Sequence, residues 1–515
     1  MCGILAVVGN VDTRLFSQGL DNINSRGPDA TQTISNKNIM LGFKRLAING
    51  SSSESMQPFS APGVKMMCNG EIFNHKQIEE ETGYTPISGS DCECILAGHE
   101  RWNFPTLCSK LDAEFALIVY DEISNKVWVA RDPYGVRPLF WGTTPNGSWA
   151  FSSELKGIHM MCDTVTQVNP GWYMCLDTTC EPLMTHYAPY KQKITFAQTV
   201  EMPQDRAAVV VKDLLTKSVE KRMMCEQGGV CCLLSGGLDS SLVAALANQA
   251  STLPINTYSI GMDGSPDLEC AKKVAEHIGS LHTTICYPVE EFLNAIPEVI
   301  KAIESYDVTT VRASVGNYLV GKFIRKNSTF KVVLNGDYAD EVCGGYLYTK
   351  LAPTVEEFHK ECARLVDNIH YFDSLRSDRS ICAHGLEARA PYADKDFLEF
   401  YMKLHPRITS PRGEAEKYLL RKAFSGTGLL PDEILWRSKE AFSDGVSSRG
   451  RSWHTIVGDH VRKLGFQDEE TYYKSIFDEC YGQKHRSVIP YKWMPKFCDA
   501  TDPSARTLKI YDRTV

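Results

Sequence analysis

Cys2 follows the initiator directly, so removal of Met1 would place a thiol and a free α-amino group on one residue. A thiolate is a strong acyl-transfer nucleophile, and an α-amino group with a reference pKa of about 7.7 to 8.0 takes its proton near neutrality without a histidine. Gly3 lets backbone and substrate approach closely. By position alone, a cysteine here would more often be an inert residue on a buried first strand. Its neighbours in the sequence change that balance. Asn69-Gly70-Glu71 follows the apolar run Val64 to Cys68, where a turn can aim a side-chain amide and a backbone N–H at one oxygen, as an oxyanion hole requires. Arg45, after Leu41 to Lys44, and Asp91, in Gly89-Ser90-Asp91-Cys92-Glu93, supply the two charges needed by an amino acid's α-carboxylate and α-ammonium. Either alone would more often be a solvated surface charge.

A second chemistry lies in Ser235-Gly236-Gly237-Leu238-Asp239-Ser240-Ser241, between the buried run Gly229 to Leu234 and the helical run from Leu242. Glycines let backbone approach phosphates, and a helix N-terminus adds free N–H groups and a favourable dipole. Asp239 would repel a bare phosphate, so it suits a Mg²⁺ ligand beside a nucleotide. No Gly-Lys-Ser/Thr follows, so this is not a Walker A loop. A third stretch, Asn335-Gly336-Asp337-Tyr338-Ala339-Asp340-Glu341, gathers three carboxylates after the run Val332 to Leu334. The C-terminal edge of a strand is where open sheets bind ligands.

Two kinds of frame must position these groups. From Gly3 to about Tyr187, short apolar runs (Ile4 to Val8, Val64 to Cys68, Phe115 to Tyr120, Val127 to Ala130, Trp149 to Phe151) are broken by Gly, Pro, Asn and Asp, which predicts a strand-rich layered domain. The polar stretch Tyr190 to Gln204, with Pro203, reads as the boundary. A helix over Asp205 to Met223 follows, with apolar residues at Ala208, Val211, Leu215, Val219 and Met223. Strand-like runs (Val230 to Leu234, Thr257 to Ile260, Thr283 to Tyr287, Lys331 to Leu334) then alternate with helical ones (Leu242 to Ala250, Leu268 to Ile278). Such alternation predicts a mostly parallel sheet covered by helices. Beyond about Tyr348 the chain reads as mainly helical.

Composition narrows the function classes. With 515 residues the chain is too long for a single small module, and its net charge of −8 offers no field to gather nucleic acid. Hydrophobic residues at 43% and charged residues at 23% exclude global disorder. The 18 cysteines make no paired C-x-x-C spacing, which predicts reduced thiols and no structural metal. The first ten residues lack a basic, signal-like start, and no apolar run reaches about 18 residues. A cytoplasmic protein with no membrane partner is expected.

Met1-Cys2-Gly3-Ile4, Arg26-Gly27-Pro28-Asp29, Arg45-Leu46, Asn69-Gly70-Glu71-Ile72-Phe73-Asn74 and Arg131-Asp132-Pro133-Tyr134-Gly135 together resemble a class II glutamine amidotransferase domain. The Ser235 to Ser241 loop is similar to the pyrophosphate loop of the ATP pyrophosphatases. Together with Gly264 to Leu268, Tyr306 to Ser314, Gly385 to Arg389, Glu416-Lys417 and Trp436 to Gly445, the chain resembles the glutamine-dependent asparagine synthetases over nearly its whole length. That resemblance implies a four-layer αββα domain of the Ntn-hydrolase type over 1–190. Over 205–515 it implies a parallel-sheet α/β nucleotide-binding domain, adenine nucleotide alpha hydrolase-like, with a helical C-terminal part. By resemblance, Cys2 attacks glutamine, Asn69 and Gly70 hold the oxyanion, and Arg45, Leu46, Ala47, Ile48, Glu71 and Asp91 complete the glutamine pocket. ATP would contact Leu234, Ser235, Gly236, Gly237, Asp239, Ser240, Ile260, Asn335 and Gly336. Asp239 and Asp340 would hold Mg²⁺, Asp337 would serve formation of an aspartyl adenylate, and Lys417 would neutralise phosphate charge. A tunnel between the domains and a homodimer are likewise implied.

One loop departs from the family pattern. Where members generally read Ser-Gly-Glu-Gly-(Ser/Ala)-Asp-Glu, this chain has Asn335-Gly336-Asp337-Tyr338-Ala339-Asp340-Glu341. Asp337 is one methylene shorter than glutamate, and Tyr338 replaces a glycine suited to positive φ. Two rival readings follow: an adenylating cyclase that uses an internal amine, and a degenerate glutamine sensor. The retained Cys2, Arg45, Asn69 and Asp91 argue against the first, and the retention of phosphate-loop and glutaminase residues together argues against the second.

Overall fold

The computed structural model describes residues 1–504 and 507, except positions 11, 37, 51, 180, 181, 412–414, 440, 441 and 449. Glu440 and Ala441, within the run Trp436 to Gly445 quoted above, lie outside the described residues.

Two six-stranded antiparallel sheets build the amino-terminal part. One has the order Thr164–Gln167, Phe140–Thr143, Trp149–Ser152, Gly3–Val8, Ile39–Arg45, Ala30–Asn36; the other has Leu183–Pro189, Trp172–Asp177, Lys126–Arg131, Ala113–Asp121, Val64–Ile72, Phe59–Ala61. Side-chain alternation decides how they stack. Ile4, Ala6 and Val8 join Met67, Ala116, Ile118, Val129 and Met174 in a core between the sheets. Leu5 and Val7 point the other way, onto Phe16 and Leu20 of the helix Thr13–Asn22. Behind the second sheet, Phe115, Leu117 and Val119 pack on Ile95, Phe104 and Leu107 of the helices Cys94–Arg101 and Phe104–Lys110. Helix, sheet, sheet, helix is the αββα layering that the resemblance implied.

The helix Gln204–Arg222, shifted by one residue from the periodic estimate, buries Ala208, Val211, Leu215 and Val219. A five-stranded, all-parallel sheet follows in the order Leu281–Cys286, Asn256–Gly261, Val230–Leu233, Val332–Leu334, Glu387–Arg389. From Val230–Leu233 the chain adds two strands on one side and returns to the other. A crevice therefore opens at the C-terminal ends of Val230–Leu233 and Val332–Leu334, where the order reverses. The helix after the first of these begins at Leu238 rather than Leu242, so Leu234-Ser235-Gly236-Gly237 is the whole connection. Among the described residues, no helix is long and apolar enough to cross a membrane.

The strand Glu387–Arg389 lies in a region that reads as helical. Three residues are too few to show a period, and two of them are charged. They are buried because their charges find partners across the boundary between the two halves.

The second crevice loop carries the departure noted above. Tyr338 has φ +75°, the left-handed conformation that costs a side chain about 1–3 kcal/mol. Its ring is 2% exposed and its hydroxyl bonds with Ser374. Deleting a buried aromatic side chain costs about 3–5 kcal/mol, more than relief of the strain returns. Tyr338→Gly should therefore lower the unfolding free energy by about 2 kcal/mol in a urea titration. A more stable variant would show that strain outweighs packing here.

Candidate active sites

The first site is a narrow cleft at Cys2. Of the residues expected there, Arg45, Leu46, Ile48, Gly70, Glu71 and Asp91 line it. Ala47 is engaged elsewhere: its N–H donates to Asp29 at 2.9 Å and its carbonyl accepts from Lys331 Nζ at 2.7 Å. Asn69 Oδ1 accepts the Cys2 N–H at 3.0 Å, while Asn69 Nδ2 is buried without a hydrogen-bond partner among the described residues. A buried donor left in this state costs about 1–3 kcal/mol unless a ligand satisfies it.

The turn expected at Asn69-Gly70 is absent. The strand runs Val64–Ile72, pairing Asn69 with Ala116 and Gly70 with Phe115. The apolar run ends at Cys68 because the strand passes from core to cleft, not because its ladder ends. Gly70 is required by close approach, since a Cβ there would lie 2.2 Å from the Glu114 carbonyl oxygen.

Arg45 donates to the carbonyls of Gly50 at 2.5 Å and Ser52 at 3.2 Å. Asp91 accepts the Ile72 N–H at 2.7 Å, and burial raises its carboxyl above the usual range. Two residues that no motif assigned to the cleft also line it. Gln57 clasps the Cys68 backbone from both sides, accepting its N–H at 2.6 Å and donating to its carbonyl at 3.2 Å. Glu387 comes from the parallel sheet, with Oε2 3.1 Å from the Met1 ammonium. Burial pushes the Cys2 thiol up to about 11, an effect that this ammonium partly offsets.

The second site is a cavity of about 180 Å³ in the crevice of the parallel sheet. Leu234, Ser235, Gly237, Asp239 and Ser240 reach it from the first loop, Ile260 from the next strand, and Asn335, Gly336, Asp337 and Asp340 from the second loop. Gly236 instead packs against the helix Pro266–Ile278. It has φ +73°, and a Cβ there would lie 2.4 Å from the Ala271 nitrogen.

Lysines face the carboxylates in this cavity. Lys417 Nζ lies 2.5 Å from both Asp239 Oδ2 and Asp340 Oδ1, and Lys439 Nζ lies 2.6 Å from Asp340 Oδ2. Burial opposes ionisation of Asp340, but the two lysines overcome it and hold the carboxyl well below the usual range. Lys417 is likewise penalised by burial and raised overall by its two carboxylates. Asp239 Oδ1 is buried without a hydrogen-bond partner among the described residues. Asp337 lies 2.7 Å from Arg376, which also holds Asp373 at 2.8 Å; burial nonetheless raises Asp337. Arg376 and Asp373 stood in no motif, and no local pattern marks them.

A family model described as Asparagine synthase matches residues 210–357 and 350–500, and one described as Glutamine amidotransferase domain matches residues 1–214. The chain is 40% identical to a glutamine-hydrolyzing asparagine synthetase of Gallus gallus, over 100% of both chains. It is 38% identical to the protein of the same name from Homo sapiens, again over 100% of both. A probable asparagine synthetase of Acanthamoeba polyphaga mimivirus is 36% identical, over 99% of this chain and 100% of that one. The chain belongs to the family of glutamine-hydrolysing asparagine synthetases.

Proposed function

We propose that the protein makes L-asparagine from L-aspartate and ATP with glutamine as nitrogen donor, residues 1–190 releasing ammonia and residues 205–515 activating aspartate. The observation that carries this reading is that one chain assembles both an orphaned amide donor beside Cys2 and a phosphate-loop crevice facing Asp337. In the first site the Cys2 thiolate attacks the side-chain carbonyl of glutamine. Asn69 Nδ2 and the Gly70 N–H take the developing oxyanion, and ammonia leaves a thioester that water hydrolyses to glutamate. Arg45 and Asp91 grip the α-carboxylate and α-ammonium, with Leu46, Ile48 and Glu71 shaping the pocket.

In the second site the side-chain carboxylate of aspartate attacks the α-phosphorus of ATP. Pyrophosphate leaves, giving a β-aspartyl adenylate. Activation is needed because a carboxylate is a poor electrophile, and AMP becomes the leaving group when ammonia attacks. Ser235, Gly237 and Ser240 cradle phosphates while Gly236 sets the turn against the helix Pro266–Ile278, Leu234, Ile260, Asn335 and Gly336 hold the nucleoside end, and Lys417 stabilises charge on the departing pyrophosphate. Asp239 and Asp340 fit a magnesium ion: both are hard oxygen donors, they already draw the Lys417 ammonium between them, and Asp239 Oδ1 is unclaimed. Bound there, Mg²⁺ would screen the triphosphate. Ammonia free in water is mostly protonated, so an enclosed passage between the sites suits the chemistry. The family resemblance supports a homodimer, and cysteines that are all free among the described residues support a cytoplasmic setting.

The test is product analysis with Mg-ATP and aspartate, supplying glutamine or ammonium. Asparagine, AMP and pyrophosphate should appear in equal amounts; no nucleotide turnover with either nitrogen source would replace this reading with a glutamine sensor. Cys2→Ala should abolish glutamine-dependent synthesis and keep the ammonia-dependent reaction, whereas loss of both would refute the division of labour. Asp337→Ala should stop pyrophosphate release while glutamate release continues, and unchanged pyrophosphate release would remove Asp337 from the mechanism.

The thiol gives a pH prediction. A pKa of about 11 leaves a thiolate fraction on the order of 10⁻⁴ at pH 7, rising tenfold per pH unit. In chains that retain Met1, alkylation of Cys2 by iodoacetamide, followed by peptide mass spectrometry, should climb at that rate from pH 7 to 10. A plateau below pH 9 would contradict the burial effect.

A further inference from the structure

We propose that Arg389, a residue of the parallel sheet, completes the glutamine cleft of the other half of the molecule as the positioning residue for Glu71. This rests on the reading of that cleft given above. Arg389 is fully buried, and its guanidinium is held through Nε and Nη1. Nε donates to Glu387 Oε1 at 2.6 Å, and Nη1 donates to the carbonyls of Arg222 at 2.8 Å and Met224 at 2.5 Å. Nη2 lies 3.0 Å from Glu71 Oε1, an ion pair without hydrogen-bond alignment. Glu71 lines the cleft beside Cys2, and its second oxygen accepts from Asn49 Nδ2 at 2.7 Å. A planar fork anchored through Nε and Nη1 keeps its remaining nitrogen beside Glu71, which a flexible ammonium would not do.

Electrostatics agree with the geometry. Glu71 shares this region with Asp91 and Glu387; burial raises its carboxyl most strongly, and Arg389 is the first influence opposing that rise. Without Arg389, Glu71 would lose the partner that holds it in place, and its carboxyl would rise further. The same residue also touches the other site through its backbone: the Arg389 carbonyl accepts the Asn335 N–H at 3.1 Å, at the root of the loop that carries Asp337. The cleft is thus built partly by a strand of the synthetase sheet, and a shift of the nucleotide loop would be felt at Glu71. By linkage, glutamine would be felt in turn at the nucleotide loop.

The experiment uses the full-length protein carrying Arg389→Lys, measuring glutamate release against glutamine concentration and, in the same preparation, ammonia-dependent asparagine synthesis. The expected result is a KM for glutamine raised at least tenfold, with kcat for glutamate release within about twofold of the unaltered protein. An unchanged KM overturns the proposal. So does a fall of kcat and of ammonia-dependent synthesis in the same proportion as the rise in KM, which marks general structural damage. Glu71→Gln, which preserves shape but removes charge, should raise KM similarly, and the double variant should be no worse than either single one. Fully additive penalties would overturn the proposal, and if Arg389→Lys does not fold, an unchanged KM in Glu71→Gln overturns it alone. Absence of glutamate release from the unaltered protein would instead refute the amidotransferase reading itself.

Discussion

Arginines buried between the two halves of the molecule are the constraint on which the rest depends. Arg26 Nη1 lies between Glu154 at 2.9 Å, from its own half, and Asp378 at 2.7 Å, from the other. Arg137 pairs with Glu114 at 2.9 Å and donates to the Ala388 carbonyl at 3.0 Å, while Arg222 reaches back to the same Glu114 at 2.8 Å and to Asp394 at 2.9 Å. All three guanidinium groups are almost fully out of water. Stripping one partner from a buried ion pair costs about 3–5 kcal/mol, so the halves cannot slide past each other without leaving charges uncompensated. Such a lattice contributes less to stability than its number of contacts suggests, because desolvation consumes most of the attraction. What it does provide is a single allowed register.

That register places Cys2. Arg26 Nε donates to the Cys2 carbonyl at 3.0 Å, so the residue that joins the halves also holds the backbone of this cysteine. It also explains why a three-residue strand matters. Glu387–Arg389 pairs with Val332–Leu334, whose loop forms one wall of the nucleotide crevice, and its side chains reach the cleft at Cys2.

The two sites treat charge differently. In the crevice, cations and carboxylates meet in near balance around Asp239, Asp340, Lys417 and Lys439, an arrangement ready to receive a polyanion with its counter-ion. In the cleft, carboxylates predominate, and burial drives Glu71, Asp91 and the Cys2 thiol toward their neutral forms. A zwitterionic amino acid suits such a pocket, since it brings an ammonium group with it.

Local pattern was enough to find the groups that do chemistry. Cys2 is marked by position, and the Ser235 to Ser240 loop by glycines and serines between a strand and a helix; Tyr338 is marked by standing at a site that needs positive φ. Each of these signals lies within a few neighbouring residues, where backbone sterics act. The sequence could not reveal that Asn69 and Gly70 continue a strand, that Gln57 clasps Cys68, that Arg376 holds Asp337, or that Glu387 and Arg389 reach the glutamine cleft. Those facts are matters of which distant residue comes within about 3 Å, and a charged side chain can be buried only where such a partner waits. The sequence by itself determined the chemistry available and the frames that carry it, and the tertiary structure decided which charges are buried together, because only folding brings distant partners close enough to offset desolvation.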